Sequence, residues 1–263
     1  MVVNMSDKTW KVLKGIIVTT GIGQDVMVTK YSPDKCPHIE SMRNNFEKVY
    51  KMTSNPKGLA IIISISRYDG LKGCRFKSEQ DFNNLKNLFE GIGYTIAPLQ
   101  EIQSKAELEK ELKQCVQSIQ ESHESLILAV MSHGDERGLY LGNGETVKVE
   151  DIIRFIIVQS GHLEGKPKIV FMDAPVLQDV IFAYSTVEGY ASFRNTQGSW
   201  FINAIVDVFS KHAWEEDIVS LLTYVSYEVS RKLSFQGYKQ IPAPQSTLTK
   251  KLFLLPGYFE DEQ

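Results

Sequence analysis

Apolar positions along this chain fall into short runs whose period changes from segment to segment, and those periods predict its elements. The run Leu59 to Ile65 is continuous, apolar and largely β-branched, the pattern of a strand buried on both faces of a parallel sheet. Next, Phe82, Leu85, Leu88 and Phe89 recur at helical spacing and stop at Gly91 and Gly93, which predicts an amphipathic helix with a glycine terminus. YTIAPL (94–99) reads as a second strand, and a second helix over 104–119 opens with Ser104 and Glu107 placed as a capping box. SLILAVMS (125–132) is the third strand. GLYLGNGETVKV (138–149) alternates around Gly142-Asn143-Gly144 as a hairpin, ahead of a helix near 150–159 and the strands PKIVFM (167–172) and IFAYST (181–186). Helical spacing returns over 198–212 and 217–233, and LTKKLFLL (248–255) closes the pattern as a strand.

Strands that alternate with helices predict an α/β fold, with a mostly parallel central sheet of about six strands covered by helices on both faces. Residues 1–50 lack sustained periodicity and contain the two-proline stretch YSPDKCPH (31–38), so they are expected as an N-terminal arm or short pro-segment. A single domain is expected over 51–263. There is no internal repeat.

Composition narrows the function classes. With 43% apolar and 23% charged residues and a net charge of −3, the chain carries no broad basic surface for nucleic acid or other polyphosphates. Its three cysteines, Cys36, Cys74 and Cys115, are widely spaced and outside any metal-binding pattern, so neither a disulfide framework nor a zinc site is expected. GIIVTTGIG (15–23) lacks the Lys-Ser/Thr ending of a phosphate loop, and no cofactor is implied. No apolar run approaches the roughly 18 residues of a membrane span, and a cytoplasmic protein is expected.

In doubly covered sheets ligands bind beyond the carboxyl ends of the strands, which directs attention to Ser132-His133-Gly134 and to Asp173-Ala174-Pro175. A histidine followed by glycine there suits a general base beside a backbone N–H donor, although a lone surface histidine is the commoner case.

From residue 50 to the last strand the chain resembles the caspase family of cysteine proteases. The matching pieces are MSHGDERG (131–138), GKPKIVFMDA (165–174), AYSTVEGYASFRNTQGSWF (183–201), SLLTYVSYEVSRK, KQIP and TLTKKLF (247–253). The family's nucleophile signature is Q-A-C-[RQG]-G, with the histidine some 50 residues upstream; here 175 − 133 = 42 positions separate His133 from Pro175. The resemblance thus puts Pro175 where the family has its cysteine, leaving His133 and Gly134 as remnants of a catalytic set. It further implies a substrate pocket at Arg75, Ser192, Phe193 and Arg194, with Asp173 in place of the family's glutamine and Phe193 in place of its usual tryptophan. An aspartate there is expected to pair with one of the arginines and stand in for a ligand. The linker that the family cuts on activation shrinks to a few residues between a large-subunit-like part (51–178) and a small-subunit-like part (179–263). The resemblance also implies edge-to-edge dimerisation through Thr247, Leu248, Thr249, Lys250, Lys251, Leu252 and Phe253, with an active caspase or with itself. The expected function is that of a catalytically inactive caspase homologue regulating apoptotic proteolysis by heterodimerising with an active caspase. The alternative is a decoy that binds caspase inhibitors or adaptors.

Overall fold

The computed structural model describes residues 15–18, 26–37, 39, 49–68, 78–135, 138–171, 179–186, 192–195, 197–234 and 237–259. Asp173, Pro175 and Arg75 lie outside them, as does Cys74. A short antiparallel pair, β1 (Gly15–Val18) and β2 (Val26–Thr29), comes first. The central sheet is built from β3 (Gly58–Ser64), β4 (Thr95–Gln100), β5 (Ser125–Met131), β9 (Lys168–Phe171), β10 (Val180–Tyr184) and β13 (Ala243–Ser246). Its strand order is β13-β10-β9-β5-β3-β4, parallel throughout except for the antiparallel edge strand β13. β3 and β5 are buried at every position, as their unbroken apolar runs require.

Each helix covers one face. α1 (Ser78–Ile92), α4 (Trp200–His212) and α5 (Ile218–Ser230) pack on the side of Ala60, Ile62, Ile127 and Ala129. α2 (Lys105–Gln117) and α3 (Val149–Ser160) pack on the side of Leu59, Ile61, Leu126 and Leu128. Each such fully buried Leu or Ile contributes about 1.5–3 kcal/mol of transfer free energy. A small satellite sheet, β6 (Gly134–Asp135), β7 (Gly138–Tyr140) and β8 (Thr146–Val147), follows β5, and a two-residue ladder of β11 (Arg194–Asn195) with β12 (Gly198–Ser199) leads into α4.

Two expectations change. Part of the stretch expected as an arm belongs to the domain: Val26 and Val28 of β2 are buried in the same core cluster as α1 and α4. Four residues with two inward valines are too short to show a period.

The closing strand also lies earlier than LTKKLFLL. The sheet ends on Ala243–Ser246, whereas Leu252, Phe253, Leu254 and Leu255 are buried inside the chain itself. A run of four apolar residues reads as a strand, but here it plugs the core below α5, with Ile218 N donating to the Leu252 carbonyl at 2.8 Å. Leu252 and Phe253 therefore offer no outer surface to a partner, and Thr247 is spent on β10, its N–H donating to the Val180 carbonyl at 2.8 Å. Thr249 reaches the Asp179 carboxylate at 2.8 Å; Lys251 is exposed and Leu248 and Lys250 are half-buried.

Candidate active site

His133 stands exposed at the carboxyl end of β5, and its backbone is held from both sides. Its N–H donates to the Tyr68 hydroxyl at 2.8 Å, and its carbonyl accepts from Tyr140 N at 2.8 Å. The Tyr68 hydroxyl in turn donates to the Ile65 carbonyl at 2.7 Å and lies 3.0 Å from Ser132 Oγ, while its ring centroid is 5.2 Å from the imidazole. One buried phenol thus ties the end of β3 to the histidine turn. Because Tyr140 bonds to His133, strand alternation turns the Gly134 N–H away from β7. Gly134 is also required by space: a Cβ there would sit 2.8 Å from the Gly138 carbonyl oxygen.

The second cluster surrounds Arg194. Asp81, in the first turn of α1 and 0% exposed, accepts from the Arg194 guanidinium through Oδ2 and from Ser199 N through Oδ1 at 3.0 Å. The hairpin bends over that carboxylate only because residue 198 is glycine, at φ +106 with Asp81 Oδ1 2.3 Å from where a Cβ would stand. The Arg194 Nε is buried without a hydrogen-bond partner among the described residues. The guanidinium is therefore a strut between α1 and the small ladder, with a carboxylate partner that is Asp81.

Next to it, Gln240 is 1% exposed and braces three segments. Its Oε1 accepts from Phe193 N at 2.7 Å, and its Nε2 donates to the Ser185 carbonyl at 2.6 Å and lies 3.4 Å from Ser192 Oγ. The Phe193 ring packs between Trp200, at 5.3 Å, and Tyr238, stacked at 6.4 Å and 8°. This makes an aromatic wall where the sequence suggested a single phenylalanine. Ser192 is exposed at its margin.

Four residues that complete these clusters, Tyr68, Asp81, Tyr238 and Gln240, escaped sequence reading. Asp81 carried the only local signal, an acidic residue in the first turn of a predicted helix, which on its own indicates favourable helix-dipole placement.

Beneath the rim, the entry into β10 is locked. Asp179 adopts φ +57 at a bulge in which its N–H donates to the Thr247 carbonyl at 3.3 Å while Thr247 N bonds the carbonyl of Val180. Its carboxylate accepts from the Tyr50 hydroxyl at 2.5 Å and from Thr249 Oγ1 at 2.8 Å. Burial pushes that carboxyl up, but these hydrogen bonds and the charge of Lys168 outweigh it and hold the group below its ordinary value.

Histidine at the end of one central strand, an arginine strut beside an aromatic wall, and a six-stranded sheet between two helix layers agree with what was found on comparison. Residues 57–253 match the Caspase domain of the C14 peptidases. The chain belongs to the caspase family. It is 29% identical over 245 residues to Caspase-3 of Bos taurus, covering 80% of this chain and 88% of that one. It is 26% identical over 269 residues to Caspase-2 of Gallus gallus, covering 83% of this chain but 63% of that protein's length. Among solved structures, the Drosophila initiator caspase Dronc superposes with a TM-score of 0.76 at 23% identity, over 93% of this chain and 100% of that one, which establishes the caspase fold. Among the described residues no group of His, Cys, Asp and Glu is arranged to hold a metal, and no helix is long and apolar enough to cross a membrane.

Proposed function

We propose that this caspase-family chain has lost peptidase chemistry and regulates apoptotic proteolysis by pairing with an active caspase. The observation that carries this is Pro175 at the family's nucleophile position. Proline has no thiol to attack a carbonyl and no N–H to donate to the oxyanion that attack creates. Loss of one oxyanion donor costs roughly 10²–10³ in rate, and loss of the nucleophile costs far more.

The surroundings support the reading. Cys36 and Cys115, the cysteines among the described residues, are both buried. Burial raises both thiols, and raises Cys115 to about 11, so a thiolate is scarce at neutral pH. Arg194, at the position that the family uses to grip an aspartate, is engaged by Asp81. A subunit of this kind acts through its surface. Pairing changes a partner's rate by ordering its catalytic loops or by denying it an active twin.

The test is to add the purified chain to an active caspase and follow cleavage of an aspartate-containing reporter peptide. A rate that shifts and then saturates with added chain supports regulation by pairing. An unchanged rate at saturating amounts refutes it.

A further inference from the structure

Both outer strands of the central sheet contain a proline: Pro98 in β4 and Pro244 in β13, each exposed. Strand alternation fixes where their ring nitrogens point. Glu101 N donates inward to the Ser64 carbonyl, so residues 99 and 97 also face β3 and Pro98 faces out. Thr247 N donates inward to Val180, so Gln245 and Ala243 face β10 while Pro244 and Ser246 face out. At β13 the open edge therefore offers the carbonyls of residues 244 and 246 and a single N–H, that of Ser246.

Pro244, Gln245 and Ser246 are all exposed, and Ala243 is half-buried. With no large apolar side chain on the strand, pairing along this edge would draw mainly on backbone hydrogen bonds, and a proline that removes a donor counts for more. In a symmetric pair of two copies centred on Gln245, each Pro244 faces Ser246 of the other chain, and two of the four ladder bonds have no donor. Each ring also occupies the space that a facing carbonyl needs. Against a strand that keeps its N–H at that place, one bond and one ring are at issue.

Given the pairing proposed above, we infer that Pro244 determines which strand the β13 edge accepts: it disfavours a second copy of this chain and leaves the edge to a caspase-fold partner whose facing strand retains the N–H. Alone, the chain is a monomer.

Sedimentation velocity of the full chain and of Pro244→Val, over roughly 1–100 μM, tests this. The wild type is expected as a monomer throughout, and the variant as a discrete dimer with self-association tightened tenfold or more, since two donors return to the ladder. Pro244→Thr gives a second reading should the valine edge polymerise, and circular dichroism verifies the fold of each. A wild-type dimer that Gln245→Cys traps as a disulfide overturns the inference, and so do folded valine and threonine variants that stay monomeric. No caspase is present in this measurement, so its failure is distinct from a failure of the pairing itself, which the reporter assay reads.

Discussion

The Tyr50 hydroxyl donates to the Asp179 carboxylate across 129 residues of chain, at 2.5 Å, and so binds the segment ahead of β3 to the residue that precedes β10. In the reading proposed above, Asp179 is the aspartate at which a family protease would cut, yet it is 7% exposed, fixed at a bulge and bonded through both carboxylate and main chain. Cleavage needs an extended and accessible strand, which here means tearing β10 from β13. Incubation with an active caspase should leave the bond after Asp179 intact by mass spectrometry. Tyr50→Phe combined with Thr249→Ala should raise cutting there by roughly tenfold or more, since local opening becomes easier. Rapid cleavage of the native chain would contradict the locked junction.

Asp81 and Arg194 form the ion pair that joins α1 to the β11–β12 ladder. Asp81→Ala strands a guanidinium that is mostly enclosed and leaves Ser199 N without an acceptor, so a loss of about 3–5 kcal/mol is expected in urea denaturation. If the aspartate and arginine act as one unit, the double variant with Arg194→Met should recover part of that loss.

The buried Tyr68 accepts from His133 N through its hydroxyl, at the base of the exposed histidine turn. Tyr68→Phe should cost about 1–3 kcal/mol and speed amide hydrogen exchange at residue 133 relative to the strand β5 behind it. Unchanged exchange at that amide would show that the histidine turn is held by other contacts.

Lys57 is 0% exposed, with Nζ donating to the carbonyls of Met52 at 2.8 Å and Tyr258 at 2.9 Å. Burial drives its ammonium from 10.5 down to about 7, against the charge of Glu124 and with that of Lys30. Between these two values the unfolded chain binds a proton that the folded chain has released. The Lys57 contribution to stability therefore rises as pH climbs from about 7 towards 10.5, by at most about 1.4 kcal/mol per unit. Below pH 7 the full cost of a buried charge is borne. Urea melts at pH 7 and 9.5 should show the stability of wild type relative to Lys57→Met increasing with pH, and a difference that falls or stays flat would contradict the assignment.

The legible parts of this fold were those set by a local period or a local cap. The runs of β3 and β5 and the apolar stripes of α1, α4 and α5 are visible because burial on a sheet or helix face imposes spacing. Ser104 caps α2 as its motif predicts, accepting from Glu107 N at 3.2 Å, although the Glu107 carboxylate accepts from Gln103 N instead of closing back on Ser104. β13 was hidden because an edge strand reading Ala-Pro-Gln-Ser has neither alternation nor β-branched residues, while the apolar Leu252–Leu255 beside it has both the look of a strand and a place in the core. His133, Ser192, Phe193 and Arg194 were singled out by resemblance to the family, on local motifs that the sequence carries. Asp81 and Gln240 were not, because a buried polar brace is defined by partners more than 40 residues away and leaves no periodic trace.

Incubating the purified chain with an aspartate-containing reporter peptide, and separately with a thiol-directed aspartyl warhead, tests loss of the nucleophile most directly. The expected outcome is no turnover above buffer and no covalent adduct by intact mass. Hydrolysis after aspartate, or a warhead attached to any cysteine of the folded chain, would contradict it.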